Sequence, residues 1–486
     1  MLLTGKERLE RLRDGRRIYL GKEKIDDVTT HPAFKGAAHE VAKLYEAKAD
    51  PANRDLMSFA ENGERYSMYY LRAKTREDLA RRTACHKALA DLTYGFFGRS
   101  PDHVAGMITG LAMKPDVFDQ VGPGYGDNLL KYYEYARKND IYPVFAVIPP
   151  TGIRSAEMYP GQERRDLSLQ VVDEDDSGVY ISGMKMLATG GVFADEIWVG
   201  NLTPVSEKAK KESITGAVPV NAPGVSLWSR QAYARNVQHP IDYPLSYRFD
   251  ETDCVLVAER VKIPWERVFV HDNGTASRAI YIQSPSNCYA NHQSNVRFWA
   301  KMGLVVGLAS RITEANGVSH IPAVREQLGR MVALEATIGG LVRGQIEGWE
   351  EFPKGWACFN RRHMYATLNW CQEHHTEIID VIRTLVGGTV LQMPASIDVV
   401  EDPELKKRFE DWWWTPSMPA IKRMKLYKLA WDLVGSEFAG RHQLYEKFYA
   451  GNSILVRNQS DREAPWDRFH KIVDDLMDAT PEPGNE

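Results

Sequence analysis

The chain has 486 residues, of which 43% are hydrophobic and 26% charged, and its formal net charge is −4. These values are typical of a soluble globular protein with two or three domains, and they argue against a nucleic-acid partner, which would favour a basic patch. Five scattered cysteines without CxxC spacing argue against a structural zinc site, an iron–sulfur cluster and a disulfide framework.

Neither a targeting signal nor a membrane segment is predicted. The first residues, MLLTGKERLERLRDGRR, lack the apolar core of a signal peptide. No apolar run reaches the roughly 18 residues that cross a bilayer. We therefore expect a cytoplasmic protein with reduced cysteines and no membrane contact.

The first part of the chain, residues 1–140, is predicted to be a mostly helical domain. Apolar residues at helical spacing predict helices over 76–97, 100–115 and 126–140. The second of these helices has a clear start, because Ser100 is a candidate N-cap and Pro101 occupies the first helical position.

The pattern changes at Ile141, where short β-rich runs begin. Residues 166–191 predict two strands joined by a polar turn at Asp173–Gly178. Further short runs follow, so we predict a β-barrel or sandwich domain over 141–278.

Helical periodicity returns at about Tyr281 and predicts a C-terminal helical bundle over 279–486. A helix over 295–316 is apolar on several faces, which predicts that it is buried, and another long helix is predicted over 325–350. The order of helical domain, β domain and bundle predicts an α+β fold of the acyl-CoA dehydrogenase type, in which flavin lies between the β domain and the bundle. This analogy concerns the fold alone.

Two local patterns carry possible chemistry. In YGFFGRSPDHVAG (94–106), Arg99 and His103 are four residues apart at a helix start, beside an aromatic run. In CQEHHTEII (371–379), Cys371 and His375 have the i,i+4 spacing of metal ligands, but no partner motif accompanies them, so we interpret this segment as a surface helix without a metal. Neither a GxGxxG motif after an early strand nor a Walker loop is present, so NAD(P)H binding is not predicted.

Several strings spread along the chain resemble the 4-hydroxyphenylacetate 3-hydroxylase family. They are LTGKERLERLRDGRRIYLGKEKIDDVTTHPAF, YGFFGRSPD, YPLSYRFDETDCVLVAERVKIPWERVFV and WDLVGSEFAGRHQLYEKFYAG. The family comprises oxygenase components of two-component, reduced-flavin-dependent aromatic monooxygenases. The resemblance runs from about residue 3 to residue 455 and points to the superfamily, not to one substrate.

The resemblance implies an enzyme that hydroxylates an aromatic or heteroaromatic substrate with O2 through a flavin C4a-hydroperoxide. FADH2, or FMN in its reduced form, would come from a separate NAD(P)H:flavin reductase. The long apolar helices at 295–316 and 325–350 predict partial burial by other subunits, in a homotetramer or a dimer, with the tetramer favoured. The WWWTP segment (412–416) fits packing or an oligomer interface, because large exposed aromatic patches are rare on monomers.

The resemblance also assigns roles to individual residues. Arg99 would be catalytic, since a fixed cation near the flavin stabilises negative charge, and His292 would be a base toward a phenol. Substrate contacts are carried over to Arg99, His103, Phe145, Asn201, Leu202 and Thr203. Flavin contacts are carried over to Phe145, Ala146, Val147, Thr151, Gly152, Ile153, Arg154, Thr189, Gly387, Gly388, Phe448, Tyr449, Ala450 and Gly451. The two glycines at 387–388 would approach a flavin phosphate from a neighbouring subunit.

Two of these positions depart from the phenol hydroxylases. His103 stands where they have a tyrosine, and it could hydrogen-bond a substrate with a pKa near neutrality. Phe145 stands where they have a histidine, and it can only pack or stack. These changes argue against 4-hydroxyphenylacetate itself and leave room for a nitrogen heterocycle, an aminoaromatic or a carrier-bound ring.

Two alternatives remain at this point. The chain could be an enzyme like 4-hydroxybutyryl-CoA dehydratase, although that branch needs three cysteines and a histidine for its cluster, and the first helical region contains only Cys85 and position 299 is a tryptophan. It could also be a non-catalytic flavin-binding scaffold.

Overall fold

The computed structural model describes residues 2–150, 167–202 and 205–480. It contains a helical N-terminal region, a central region with two sheets, and a C-terminal helical bundle, in the predicted order.

Six helices lie before the central region: α1 (Gly5–Arg11), α2 (Lys35–Ala49), α3 (Arg54–Met57), α4 (Arg76–Leu92), α5 (Pro101–Ala112) and α6 (Tyr125–Lys138). The predicted helices correspond to α4, α5 and α6. Ser100 does precede α5, but its hydroxyl donates to the Asp102 carboxylate (2.5 Å) instead of capping the helix.

The strands are β1 (Ile18–Leu20), β2 (Glu23–Ile25), β3 (Ser58–Glu61), β4 (Glu64–Ser67), β5 (Pro143–Ala146), β6 (Gln170–Asp175), β7 (Gly178–Lys185), β8 (Glu196–Val199), β9 (Thr215–Pro219), β10 (Val225–Ser229), β11 (Cys254–Pro264), β12 (Val268–Val270), β13 (Glu350–Phe352) and β14 (Trp356–Cys358). One sheet has the order β2-β1-β10-β11-β7-β6, and the other has the order β12-β9-β8-β5. The hairpin predicted around Asp173–Gly178 is β6–β7.

The N-terminal region is less purely helical than predicted. Strands β1 and β2 belong to the larger sheet, where Ile18 pairs with Leu227 of β10, and β3 and β4 form a separate hairpin. Strands of three or four residues show too little alternation to be recognised. In addition, β1 pairs with a strand about two hundred residues away, which local sequence does not reveal.

The remaining helices are α7 (Pro244–Phe249), α8 (Ala276–Ile282), α9 (Ser286–Ala315), α10 (Pro322–Glu347), α11 (Arg361–Val386), α12 (Pro403–Trp412), α13 (Ala420–Val434), α14 (Glu437–Phe448), α15 (Ser453–Arg462) and α16 (Trp466–Asp478). None of the helices in the described part of the chain is both long and apolar enough to cross a bilayer. Helix α5, buried along its whole length, packs against α9 of the bundle and against β5. Its N-terminus therefore lies where the three regions meet.

Candidate active site

Arg99 is buried immediately before α5, with only 8% of its surface exposed. Its guanidinium donates to His103 Nε2 (2.7 Å) and to the carbonyl oxygen of Tyr449 (2.8 Å). Among the described residues it has no carboxylate partner, whereas buried arginines are ordinarily paired with one. This cation can therefore accept an anionic or electron-rich ligand.

His103 is buried and neutral. Because a guanidinium can only donate, His103 Nε2 accepts from Arg99, which leaves the proton on Nδ1, facing Gln293 Oε1 at 3.2 Å. The Gln293 amide is oriented by its own donation to Ser100 and Asp102. Burial and the Arg99 charge hold the pKa of His103 well below its usual range, so the expectation of a pKa near neutrality is wrong.

Phe145 lies at the end of β5 and forms an apolar wall of the site. Its ring centre is 4.9 Å from the Arg99 guanidinium carbon and 5.8 Å from the His103 ring. The following residues, Ala146 and Val147, are buried in the core. The contact between Arg99, His103 and Phe145 supports their predicted grouping.

Thr189 and Gly190 follow β7 and approach the same point. The Thr189 hydroxyl donates to Asp253 (2.7 Å), so toward a ligand it can only accept. Gly190 has φ +75°, and a Cβ there would lie 3.0 Å from the Tyr142 hydroxyl and 3.5 Å from the Arg99 carbonyl. Glycine is required because the chain passes so close to Arg99 in a left-handed conformation.

The C-terminal end of α14 closes the site from the bundle. The rings of Tyr445 and Tyr449 stack with centroids 5.7 Å apart, and their centres lie 5.8 and 5.4 Å from the Arg99 guanidinium carbon. Tyr445 can approach this closely because residue 98 is a glycine, since a Cβ at that position would meet the Tyr445 hydroxyl at 1.9 Å. Of the other predicted contacts here, Phe448 is exposed, and Ala450 and Gly451 are partly exposed.

His292 lies deeper in the bundle, with both ring nitrogens engaged. Nδ1 faces Gln345 Oε1 (2.7 Å), Nε2 faces the Thr83 hydroxyl (2.8 Å), and the ring stacks on Phe359 at 3.6 Å. Burial lowers its pKa well below the usual range. It would have to release Thr83 before it could accept a substrate proton, so its role as a base stays a prediction.

The remaining predicted residues that the structure describes form no hydrogen bond or ion pair with Arg99. Asn201 is buried and holds a loop, since it accepts from Lys185 Nζ (2.6 Å) and donates to the Glu212 carbonyl (2.7 Å), and Leu202 is exposed. Gly387 and Gly388 are exposed after α11, with open space around them. Thr151, Gly152, Ile153, Arg154 and Thr203 lie outside the described residues.

The segment CQEHHTEII forms part of α11, but it is not a surface helix as expected. Cys371 and His375 are buried in the bundle, where desolvation lowers the pKa of His375 to about 4. The described residues contain no group of three or more ligating side chains arranged for a metal ion.

Sequence reasoning missed the charged groups behind the site. Glu446 binds Arg297 with both oxygens (2.7 Å each) and also contacts Lys301. A second cluster joins Glu251 and Asp253 to Arg441. Each bond links distant parts of the chain, so the sequence shows only that acidic and basic residues are present, not that they pair.

The site as described fits a flavin. It combines a buried cation that has no acidic partner in the described part of the chain, a hydroxyl left as an acceptor, and a glycine at position 190 that permits close approach, all at the junction of β domain and bundle. These groups suit a planar ring that gains negative charge on reduction.

Two family models match the chain. One describes the N-terminal part of 4-hydroxyphenylacetate 3-hydroxylase and matches residues 4–270, and the other describes its C-terminal part and matches residues 277–478. The chain belongs to the 4-hydroxyphenylacetate 3-hydroxylase family. Its similarity to members of this family extends over most of its length.

The oxygenase component of 4-nitrophenol 2-monooxygenase from Rhodococcus sp is 30% identical over 465 residues, which cover 94% of this chain and 88% of that protein. The oxygenase component of 4-hydroxyphenylacetate 3-monooxygenase from Thermus thermophilus is 29% identical, with 94% and 93% covered. A crystal structure of such a component complexed with FAD and 4-hydroxyphenylacetate has a TM-score of 0.91 at 27% identity and 98% coverage of both chains.

An archaeal 4-hydroxybutyryl-CoA dehydratase from N. maritimus has a TM-score of 0.88 at 21% identity, with 99% of this chain and 96% of that chain covered, which shows a common fold alone. Together the matches confirm the family, the α+β fold of the acyl-CoA dehydrogenase type, and the interpretation as an FAD-dependent aromatic monooxygenase. The roles of single residues and the domain boundaries at 140/141 and 278/279 stay predictions.

Proposed function

We propose that this chain is the oxygenase component of a two-component monooxygenase that uses FADH2 from a separate NAD(P)H:flavin reductase and O2 to hydroxylate an aromatic or heteroaromatic ring. The observation that carries the proposal is the buried Arg99 guanidinium, which has no carboxylate partner among the described residues and lies between Phe145 and Tyr449. The bound flavin would supply the oxygen chemistry, and the protein orients the ring and excludes water.

Each residue of the site has a role that follows from its position. Arg99 stabilises negative charge on the flavin or the substrate, Thr189 and the backbone near Gly190 approach the flavin ring, and Phe145 packs against the substrate ring. His103 holds the Arg99 guanidinium through Nε2 and is held in turn by Gln293. Because neither His103 nor Phe145 offers a free proton acceptor, the substrate differs from 4-hydroxyphenylacetate in its polar contacts.

A substrate screen tests the proposed function. The chain is mixed with a generic flavin reductase, FAD, NADH, 18O2 and catalase, and with phenols, aminoaromatics and nitrogen heterocycles in parallel. We expect at least one ring to gain a single labelled oxygen atom, measured by product mass, because NADH loss alone also reports peroxide release. Labelled product must be absent when the reductase is omitted. NADH consumption without labelled product from any of the rings would contradict the proposal.

We further propose a homo-oligomer, with a tetramer expected, that works in the cytoplasm, where its five free buried cysteines stay reduced. Large apolar side chains are exposed on the bundle, namely Trp412 (81%), Leu391 (75%), Leu476 (71%), Ile454 (66%) and Leu444 (65%). Helix α16 buries none of its residues within the chain. Surfaces of this kind are typical of subunit interfaces.

Light scattering at micromolar concentration should therefore give a multiple of the 55.1 kDa chain mass, with four chains expected. Leu476→Glu should shift the particle toward smaller species, because a charge on the apolar side of α16 disfavours burial. Lys471→Gln, a change on the exposed polar side of the same helix, should leave the mass unchanged. A monomeric wild-type chain would refute this assembly.

A further inference from the structure

An acid-rich turn lies directly behind the candidate site. We call the residues Asp250, Glu251, Thr252 and Asp253, which connect α7 to β11, the acidic turn. Asp250, Glu251 and Thr252 are at most 2% exposed, and the Asp253 side chain is 16% exposed. Three carboxylates in four such residues are costly to desolvate, so their partners decide what the turn does.

The acidic turn is bonded to all three regions that form the site. Glu251 accepts the backbone N–H of Arg99 (2.9 Å), and Asp253 accepts the Thr189 hydroxyl (2.7 Å). Both carboxylates also bind the guanidinium of Arg441 in α14, at 2.9 Å from Glu251 and at 2.7 and 2.9 Å from Asp253. Helix α14 leads to Tyr449, whose carbonyl accepts from Arg99.

The backbone of the turn adds a further link. Thr252 has φ +48°, an unusual conformation for a β-branched residue, and strain of this kind persists only where the surroundings enforce it. In this conformation the carbonyl oxygens of Glu251 and Thr252 both accept the N–H of Gly190, at 2.9 Å each. The turn thus holds Gly190 and Arg99 on the same side of the pocket.

The acidic turn also carries a net negative charge close to Arg99. Its three carboxylates are bonded to two guanidiniums, those of Arg441 and Arg230, which leaves one surplus negative charge. Desolvation alone would raise the pKa of Asp253, but Arg441, Arg230 and Thr189 hold it well below its usual range. Glu251 accepts the backbone N–H of Arg99, so this surplus charge lies beside Arg99 without occupying its guanidinium.

We propose that Glu251 and Asp253 are positioning residues that hold Arg99 and Thr189 in register across the flavin pocket, and that the acidic turn supplies the counter-charge that keeps the Arg99 guanidinium free for its ligand. The proposal rests on the proposed function, since it assumes that flavin binds between Arg99 and Thr189.

A double-mutant cycle tests the link between Asp253 and Thr189. Asp253→Asn and Thr189→Val should each weaken the affinity for reduced FAD, measured by anaerobic titration, by about tenfold, the size of one charge-assisted hydrogen bond. If Asp253 acts through Thr189, the affinity of the double variant for reduced FAD should be no lower than that of the single variant with the lower affinity. Thr189→Ser keeps the hydroxyl and should bind like the wild type.

Glu251→Gln tests the counter-charge, because it keeps an oxygen for the Arg99 N–H but removes the charge. Product formed per NADH should fall by about tenfold, a loss of about 1.4 kcal/mol. Asp432→Asn is the matched control: Asp432 is equally buried and accepts from Leu245 and Ser246 of α7, but it has no bond to Arg99, Thr189 or Arg441. Asp432→Asn should lower thermal stability but leave flavin affinity and product yield unchanged.

Independent, multiplying effects of Asp253→Asn and Thr189→Val would overturn the proposal, as would equal effects of Glu251→Gln and Asp432→Asn on flavin affinity and product yield. Failure of the proposed function gives a different result, namely a wild-type chain that binds reduced FAD but oxygenates no ring. In that case the titration cycle still decides whether Asp253 acts through Thr189.

Discussion

Arg99→Ala should lower coupled hydroxylation at least about tenfold, which corresponds to a loss of about 1.4 kcal/mol of transition-state stabilisation. Arg99 is 8% exposed, and the rings of Phe145, Tyr445 and Tyr449 lie 4.9, 5.8 and 5.4 Å from its guanidinium carbon. The aromatic run that precedes it packs elsewhere, with Phe96 and Phe97 against Phe249. In this low-dielectric setting a cation stabilises developing negative charge more strongly than it would in water. The measurement is product formed per NADH consumed, with the peroxide released as the complement.

Two further variants separate the role of Arg99 from a general loss of structure. Arg99→Lys should recover only part of the yield, because a point charge cannot donate to His103 and Tyr449 with the planar fork of arginine. Arg311→Ala, which removes an exposed arginine from α9, should have no effect. The wild type should bind reduced FAD more tightly than oxidised FAD, and Arg99→Ala should lose this difference. Full coupled turnover by a folded Arg99→Ala variant would show that Arg99 has no part in the reaction.

Glu446→Ala should be the most destabilising of the substitutions considered, at about 3–5 kcal/mol. Glu446 is completely buried and binds both Arg297 and Lys301, so its removal leaves two buried cations without their shared carboxylate. The midpoint of urea unfolding, or the unfolding rate where refolding fails, measures the loss. Glu404→Ala, which breaks an exposed pair with Arg408 on α12, should change stability by less than about 0.5 kcal/mol.

The same carboxylate predicts a sensitivity to acid. Desolvation alone would raise the pKa of Glu446, but Arg297 and Lys301 lower it well below its usual value of 4.5. A carboxylate with a depressed pKa in the folded state contributes stability above its unfolded pKa and loses it as the pH falls. The wild type should therefore lose stability steeply below about pH 4.5, and Glu446→Ala should do so less steeply. Parallel pH profiles for the two proteins would contradict this assignment.

Much of the secondary structure was predictable because its signals are local. The Ser100-Pro101 pair marks the start of α5, and four-residue spacing brought Arg99 and His103 together, as their 2.7 Å bond confirms. The hairpin β6–β7 followed from two apolar runs around a polar turn. Strands β1 and β2 were missed because a three-residue strand has no measurable period, and β1 joins the sheet through β10, far along the chain.

The sequence by itself determined the family, the order of the three regions and the contact between Arg99 and His103, since each depends on local pattern or on long matching strings. Only the tertiary structure decided the protonation of His103, the burial of Cys371 and His375, and the partners of Glu251 and Asp253. These properties depend on desolvation and on polar and charged groups that approach from distant segments, up to 350 residues away for the bond between Arg99 and the Tyr449 carbonyl. A carboxylate or an imidazole has the same letter in the sequence whether it is solvated or buried, so its chemistry emerges only when the chain has folded around it.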